Sequence, residues 1–311
     1  MATPVPRAIR LTTDGCCPNP FWSPDSSRVL FIDLQEAEGQ AGLYAVDIEG
    51  GPPQLVTRTI GVFSRDWAYL AYPYAGETIV QRRQDRWQWV IPNGGRAVRF
   101  SPSGRSIAWQ VASVTAENPD LRDRTLWIAS PNGLGAQHLI TVIGGGLIGW
   151  TDDEQSVLMS GRLSLDGPSG IWRVSTFDGS AELVREVRRP RDPLLSPQGG
   201  WLAFYIAFAA DPEDDGLWLL RLRDGAVRRL DLFGAYRWRS EGQLLVIPLD
   251  LEDAGPALWE VEAASGRARR LTDPALTPLS IANNDWQVSP DGSKIVYLST
   301  QDRNLWLLPL P

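Results

Sequence analysis

Histidine, cysteine and carboxylate side chains are the residues of this sequence that could carry chemistry, and the first two types are scarce. The only histidine is His138, and the two cysteines, Cys16 and Cys17, are adjacent. One histidine and two neighbouring cysteines cannot assemble a tetrahedral zinc site. A serine or cysteine triad would need His138 as its base, and that residue falls on an outer strand of the repeat described below. The sequence therefore predicts no catalytic residue of these classes.

Cys16 and Cys17 leave two states open. Adjacent cysteines can close a vicinal disulfide, which belongs to the strained and reducible kind. They can also remain free thiols, because cysteine packs well as a small apolar side chain. With no further cysteine in the chain, a framework of several disulfides is excluded.

Carboxylates are numerous, and the densest cluster is Asp211-Pro212-Glu213-Asp214-Asp215-Gly216. Calcium prefers oxygen ligands, so Asp211, Glu213, Asp214 and Asp215 are candidate calcium ligands, although their spacing is not that of an EF-hand loop. A solvated loop is the alternative. No other cofactor is expected. Further acidic residues fall in the long connections between the second and third strands of the repeats, namely Glu36, Glu38, Glu117, Asp120, Asp123, Asp250, Glu252 and Asp253.

The overall charge bears on the partners. The formal net charge is −7, which argues against a nucleic-acid partner because affinity for phosphate backbones depends on basic patches. No apolar run approaches the roughly 20 residues of a membrane-spanning helix. We therefore expect a protein or peptide partner, with a small-molecule ligand as a further possibility, and a monomeric chain.

One pattern recurs at a spacing of roughly 37 to 50 residues, which is in the range of propeller blades. A short apolar strand leads into a turn of the Ser-Pro-Asp-Gly type, and a second apolar strand follows. Proline presets φ in such a turn, serine and aspartate bind local N–H groups, and glycine accepts positive φ. The copies begin at Phe21, Phe63, Phe100, Trp150, Leu195, Trp238 and Val288.

A third and a fourth strand follow in most copies. Leu-Trp or a related pair opens the third strand, and a turn such as Asp178-Gly179 or Asp224-Gly225 leads to the fourth. Four short antiparallel strands per repeat are typical of a propeller blade. The sequence thus predicts an all-β, seven-bladed β-propeller of four-stranded antiparallel blades as a single domain over residues 1–311, with six blades as the alternative. The blades are predicted at 18–57, 60–91, 96–140, 147–184, 192–230, 235–272 and 284–308 plus 8–12.

The last repeat lacks a fourth strand of its own. The segment Ala8-Ile9-Arg10-Leu11-Thr12 reads like the fourth strand Ala268-Arg269-Arg270-Leu271-Thr272. We therefore predict that this N-terminal strand closes the last blade.

The repeats resemble the PD40, or WD40-like, repeats of TolB and of the propeller domains of prolyl-oligopeptidase-type peptidases. The best matches are Trp22-Ser23-Pro24-Asp25, Phe100-Ser101-Pro102-Ser103-Gly104 and Val288-Ser289-Pro290-Asp291-Gly292. The resemblance implies the propeller fold. TolB-like proteins carry an extra α/β domain, and the peptidases carry a hydrolase domain with a Gly-x-Ser-x-Gly elbow. Neither is found here, so the TolB partner and peptidase activity are not carried over.

In a propeller, the connections between blades lead to the central channel. The residues that precede the first strands should therefore line one mouth of that channel, where propellers often bind ligands. The candidate ligand-binding residues are Cys16, Cys17, Asn19, Arg191, Asp192, Tyr236, Arg237, Asn284 and Asp285.

We predict a non-catalytic binding propeller that presents its loop face and channel mouth to a protein, peptide or small ligand, and a chain that is more readily a binder than an enzyme. One alternative is a propeller enzyme (a lyase, lactonase or cyclase) that uses carboxylates at the channel mouth. Another is the ligand-sensing portion of a larger membrane-anchored protein. Because Thr3-Pro4-Val5-Pro6 resembles a linker after a removed export signal, a bacterial periplasmic or extracellular location is favoured over a cytoplasmic one.

Overall fold

The computed structural model describes residues 7–13, 15–34, 41–113, 118, 121–209, 211–249 and 255–311, without the side chains of residues 282 and 283. The chain divides into two compact units. The first unit comprises Met1–Ile60 and Leu230–Pro311, and the second comprises Gly61–Arg229. In the part of the chain that is described, no helix is long and apolar enough to span a membrane. The single-domain organisation stays a prediction.

The elements are mostly short β-strands, and a 3-10 turn lies at Pro212–Asp214. The N-terminal part of the first unit contains β1 (Ile9–Arg10), β2 (Phe21–Trp22), β3 (Arg28–Leu34), β4 (Ala41–Asp47) and β5 (Gln54–Thr57). The second unit contains β6 (Val62–Phe63), β7 (Tyr69–Tyr74), β8 (Glu77–Arg82), β9 (Gln88–Ile91), β10 (Val98–Phe100), β11 (Ile107–Ala112), β12 (Asp123–Ala129), β13 (Gln137–Trp150), β14 (Ser156–Arg162), β15 (Gly170–Ser175), β16 (Ala181–Glu186), β17 (Arg191–Leu195), β18 (Trp201–Ile206), β19 (Gly216–Arg221) and β20 (Ala226–Arg229). The C-terminal part of the first unit contains β21 (Gly234–Ser240), β22 (Gln243–Pro248), β23 (Trp259–Glu262), β24 (Ala268–Arg270), β25 (Ile281–Val288), β26 (Lys294–Ser299) and β27 (Leu305–Pro309).

Each unit contains three antiparallel sheets. Those of the first unit are four-stranded, with the orders β2-β3-β4-β5, β21-β22-β23-β24 and β25-β26-β27-β1. In the second unit, β6-β7-β8-β9 and β17-β18-β19-β20 are four-stranded, whereas β10 to β16 form one seven-stranded sheet. The all-β propeller class of fold is therefore as predicted.

The predicted number of blades is wrong. Among the described residues there are five four-stranded blades, and neither the seven blades expected nor the alternative of six is present in that form. The physical reason lies in β13, whose 14 residues continue without a break. Its first half pairs with β12 and its second half with β14, so the third and fourth repeats share one strand and merge into one sheet.

Gly144, Gly145 and Gly146 lie in the middle of β13. The ladder with β14 shifts register between Ile143 and Gly146, which is a β-bulge. A Cβ atom on Gly145 would lie 2.2 Å from the carbonyl oxygen of Ser160, so this position needs glycine. The triplet allows the continuous strand to bend where the sequence suggests a break between two blades.

The repeated turn is held by a buried hydroxyl. In the first copy, Ser23 Oγ accepts from the backbone N–H of Arg28 at 2.9 Å and donates to Asp25 at 2.6 Å. Five other repeats make the equivalent bond from the N–H five residues on, at 2.9–3.1 Å. The hydroxyls are those of Ser23, Ser64, Ser101, Thr151, Ser196 and Ser289. The turn chemistry predicted from the sequence is confirmed.

The copy beginning at Trp238 departs from this rule, because Arg239 stands where the other repeats have a hydroxyl. Its guanidinium pairs with Glu260 at 2.6 Å and donates to the carbonyl oxygens of Gly292 and Pro311 at 2.9 and 2.8 Å. Arg239 thereby ties the sheet that begins with β21 to the sheet that begins with β25.

The chain ends of the first unit are joined by β1 and β27. Ile9 pairs with Leu307 and Arg10 with Trp306. Beyond the strand, Leu11 N–H donates to the carbonyl oxygen of Leu305 at 2.8 Å, and Leu305 N–H donates to Thr12 Oγ1 at 2.9 Å. The predicted pairing of the N-terminal strand with the last blade is confirmed.

The same pair of bonds recurs at the end of β24. Leu271 N–H donates to the carbonyl oxygen of Leu258 at 2.8 Å, and Leu258 N–H donates to Thr272 Oγ1 at 2.9 Å. Leu11-Thr12 and Leu271-Thr272 thus make equivalent hydrogen bonds at the start of the third strand of their sheets, as their similar sequences suggest.

The core of the first unit lies between the faces of successive sheets. One cluster packs Phe31 and Tyr44 against Leu305 and Leu307. A second packs Leu245 and Leu258 of one sheet against Trp286 and Tyr297 of the next, and the Trp286 side chain is fully buried. Burial on this scale is the main stabilising contribution in such a fold.

We expect Thr12→Val to lower the free energy of unfolding by about 1–3 kcal/mol, because the buried N–H of Leu305 loses its acceptor while the side-chain shape is kept. Urea unfolding of wild type and variant measures the difference. Thr300 is exposed, and Thr300→Val serves as the control, with an expected change within about 0.5 kcal/mol. Equal stability of Thr12→Val and Thr300→Val would contradict the role of this hydroxyl in joining the chain ends.

Candidate functional site

Two neighbouring first strands of the first unit, β21 and β25, position the candidate site. Arg237 lies on β21, and Asn284, Asp285 and Trp286 lie on β25. The register of β25 shifts between Ile281 and Trp286, and Asn284 adopts a φ of 60°. Bulges and positive-φ residues other than glycine re-aim side chains and are frequent at functional sites.

The Arg237 guanidinium is held over an aromatic ring. Its Cζ lies 5.2 Å from the centroid of the Trp286 ring, which is within the range of a cation–π interaction. Two of its nitrogens donate to the carbonyl oxygens of Tyr236 and Asn284, at 2.7 and 3.3 Å. Trp286 Nε1 in turn donates to Asn284 Oδ1 at 2.8 Å. The arginine, the ring and the bulge therefore fix one another.

Asp285 is a half-buried carboxyl beside this arginine. Burial raises its pKa above the ordinary aspartate value, although the backbone N–H of Asn19 and the charge of Arg237 act in the opposite direction. Asp285 thus exchanges a proton closer to neutral pH than a solvated aspartate does. A carboxyl with a raised pKa beside a fixed cation is suited to acid–base chemistry on an anionic substrate.

The structure brings together five of the nine residues predicted for ligand binding. They form what we call the Asp285 site, which consists of Asn19, Tyr236, Arg237, Asn284 and Asp285. Asn19 is exposed and Tyr236 is 4% exposed. Trp286 completes the site, and it is not among the residues predicted from the sequence. The signal in the sequence was an aromatic residue directly after Asp285 and three residues before Ser289 of the Ser-Pro-Asp-Gly motif.

The remaining four predicted residues are Cys16 and Cys17 in the first unit and Arg191 and Asp192 in the second. Cys17 is fully buried in the core cluster with Phe31 and Leu305, and Cys16 is half-buried beside it. Their sulfur atoms are joined as a vicinal disulfide, on the core side of the closing strand.

Arg191 and Asp192 belong to the second unit, and both are exposed. Arg191 lies over the exposed ring of Phe208, at 5.7 Å from its centroid, and Asp192 adopts a φ of 46°. Their grouping with the Asp285 site stays a prediction.

The calcium candidates cap a 3-10 turn in the second unit. Asp211 accepts from the N–H of Glu213 at 3.0 Å, and Asp215 accepts from the N–H of Ala209 at 2.8 Å. These carboxylates serve the local backbone, and in the described part of the chain no three histidine, cysteine or acidic side chains are placed to hold a metal ion. Calcium binding by Asp211, Glu213, Asp214 and Asp215 stays a prediction without geometric support.

Several predicted acidic loop residues fall outside the described residues. They are Glu36, Glu38, Glu117, Asp120, Asp250, Glu252 and Asp253. Asp123 opens β12. His138 lies exposed on β13, with Nε2 3.2 Å from Thr141 Oγ1.

Comparisons with known proteins support the fold. No protein-family profile matches the sequence, and no curated protein sequence matches it. An oligogalacturonate lyase solved in complex with manganese is 15% identical, with a TM-score of 0.68 over 99% of both chains. An oligogalacturonate lyase of Vibrio parahaemolyticus is 14% identical, with a TM-score of 0.69 over 100% of this chain and 95% of the other. TolB of Acinetobacter baumannii is 14% identical, with a TM-score of 0.48, and the match covers 91% of this chain and 64% of the TolB chain.

These comparisons contradict two predictions and confirm part of a third. The prediction of a non-catalytic binding protein, more readily a binder than an enzyme, is contradicted, since two structures that resemble this chain over nearly its whole length are lyases. Of the predicted resemblance, a likeness to propeller proteins is confirmed, whereas no profile supports membership of the PD40 family.

We expect no reactive thiol when the natively produced protein is denatured without reductant, because Cys16 and Cys17 are bonded to each other. A thiol-specific chromogenic reagent gives the count. After reduction, the same sample should show two thiols per chain. Two thiols before reduction would reject the vicinal disulfide.

Proposed function

We propose that this protein is a lyase that cleaves an acidic, uronate-containing oligosaccharide, with Asp285 as the proton acceptor and Arg237 as the group that binds the substrate carboxylate. The observation that carries the proposal is the pairing of a carboxyl of raised pKa with a fixed guanidinium in the Asp285 site. The likeness in fold to two oligogalacturonate lyases supports the choice of substrate class.

The chemistry of a uronate explains why these two groups are needed. The hydrogen on the carbon next to the sugar carboxylate is weakly acidic, and its removal leaves an electron pair that spreads onto the carboxylate. A cation at that carboxylate stabilises the developing charge, and Arg237 can bind it in a bidentate manner. Asp285 accepts the proton, the electron pair forms a carbon–carbon double bond, and the bond to the leaving sugar oxygen breaks. The leaving oxygen takes a proton from water, and the hydroxide that remains takes the proton from Asp285, which returns both to their starting states.

A resident metal does not fit the described residues. One of the similar lyases was solved with manganese, but here the single histidine, His138, is exposed on β13, and the described residues contain no group of three metal-ligating side chains. The proposed reaction therefore uses Arg237 rather than a metal ion to neutralise the substrate carboxylate.

A location outside the cytoplasm belongs to the proposal, because a disulfide persists in oxidising compartments.

We expect Asp285→Asn to lower kcat/KM on oligogalacturonate about 10²–10⁴-fold, because the proton acceptor is lost. Arg237→Gln should raise KM and also lower kcat, since the carboxylate is bound both in the ground state and in the transition state. The ultraviolet absorbance of the unsaturated product measures the rate, in the presence of a chelator. Asp231→Asn and Arg270→Gln change exposed residues of the same unit and serve as matched controls. Wild-type activity in Asp285→Asn would refute the assignment.

The pH dependence separates a proton acceptor from a structural carboxyl. Because the pKa of Asp285 is raised in the folded protein, kcat/KM should fall as the pH falls through a value above the ordinary aspartate range. The ionised carboxylate should also oppose folding. This cost is absent below the unfolded-state pKa of about 3.9 and complete above the folded-state pKa. Asp285→Asn should therefore be at least as stable as wild type at pH 7, with the difference vanishing in acid, as measured by urea unfolding at both pH values. A less stable variant at pH 7 would indicate a structural role.

A further inference from the structure

A second set of unassigned groups lies in the second unit, in a cleft of about 380 Å³ between the first strands of its sheets. Residues of β6, β10 and the end of β13 line it. The polar side chains that dominate it are those of Arg65 and Arg99, and Phe63, Phe100 and Trp150 provide aromatic walls. Gly149 contributes backbone to the lining. None of the described residues that line the cleft carries a carboxylate.

Both arginines lack an acidic partner among the described residues. Neither forms one of the ion pairs found there, and no side-chain hydrogen bond holds either guanidinium. Arg99 is exposed to solvent on β10, and partial desolvation by the surrounding protein lowers its pKa. An exposed guanidinium without an acidic partner can bind an anion from solvent. Arg239 is in contrast paired with Glu260 at 2.6 Å.

Hydrogen bonds and ring stacking fix the chain segments that carry Arg99 and Arg65. Trp150 Nε1 donates to the carbonyl oxygen of Arg99 at 3.1 Å. Arg65 takes the position of proline in the repeated turn, between Ser64 and Asp66, and Ser64 donates to Asp66 at 2.6 Å. Phe63 is stacked on Trp67 with ring centroids 4.8 Å apart. The positions of the two arginines and of the Phe63 ring are thus fixed by neighbouring residues, as a binding site requires.

We propose that this cleft binds a small organic anion, with its carboxylate or phosphate group against Arg65 and Arg99 and its less polar face against Phe63, Phe100 and Trp150. Guanidinium groups match both anions in bidentate geometry, and aromatic walls suit the carbon–hydrogen face of a sugar or another flat organic body. The inference rests on the second unit alone and is independent of the proposed lyase activity.

Isothermal titration calorimetry with three probes tests the proposal. The probes are galacturonate, inorganic phosphate and neutral galactose. We expect saturable binding of galacturonate or phosphate and none of galactose. Arg65→Gln and Arg99→Gln should each weaken binding about tenfold or more, as expected for the loss of a charge-assisted hydrogen bond. Arg223→Gln removes the same charge from an exposed position of the same unit, and Arg237→Gln removes the arginine of the Asp285 site. Neither should affect this binding.

Each outcome decides the matter. Binding of galacturonate alone identifies a carboxylate site, and binding of phosphate alone identifies a phosphoryl site. Absence of binding by both anions overturns the proposal, as does binding that is lost in Arg237→Gln but kept in Arg65→Gln and Arg99→Gln. Because Arg99 is exposed and has no acidic partner among the described residues, Arg99→Gln should melt no lower than wild type without ligand. If it does melt lower, Arg65→Gln, whose side chain is exposed, carries the binding test, and lyase activity measured in parallel separates this site from the Asp285 site.

Discussion

The hydrogen bonds that join Leu11 and Thr12 to Leu305 are the constraint on which the first unit depends. They bring together residues 293 positions apart and cover the free edge of β27, which would otherwise present unpaired backbone groups. The side chains of Phe31, Tyr44 and Leu307 pack in one core cluster together with Leu11 and Leu305. The segment that follows β1 then carries Cys17 into the core and delivers the backbone N–H of Asn19 to Asp285. The site is thus a consequence of how the chain ends are joined.

The candidate site residues lie on or just before the first strands of the sheets, whereas the hydroxyl-bonded turns that follow these strands stabilise the fold. Asn19, Asp192 and Asn284, all four or five residues before a motif serine, adopt a positive φ. In β17 and β25 the ladder slips at this point. Such conformations cost free energy in residues other than glycine, and the hydroxyl-bonded turns hold the strand in place against that cost. In β13, Gly145 and Gly146 meet the same requirement without strain, and there the strand runs on into its predecessor.

Three charged groups show how pairing decides their behaviour. Burial alone would raise the pKa of Glu260, but hydrogen bonds from Arg269 and Arg239 outweigh it and the pKa is lowered. Asp285 has only the N–H of Asn19 and the more distant influence of Arg237 against its burial, so its pKa is raised. Arg99 has no acidic partner at all among the described residues. Glu260 therefore belongs to the framework, whereas Asp285 and Arg99 keep unsatisfied electrostatic potential that a ligand can use.

The sequence by itself determined what depends on neighbours along the chain. Local turn chemistry at Ser23-Pro24-Asp25 and its copies, the alternation of strands, and the likeness of Leu11-Thr12 to Leu271-Thr272 are encoded within a few residues, so the hairpins and the closing strand were predictable. Asp285, Arg237 and Asn19 were also predictable as candidates, because they precede those hairpins. Only the tertiary structure decided the rest. The merging of two repeats through β13 depends on whether one strand continues across Gly144-Gly145-Gly146. The burial of Cys17, the placement of Trp286 under Arg237 and the unpaired state of Arg99 depend on residues that are far apart in the chain, and packing between sheets is a property that no local pattern encodes.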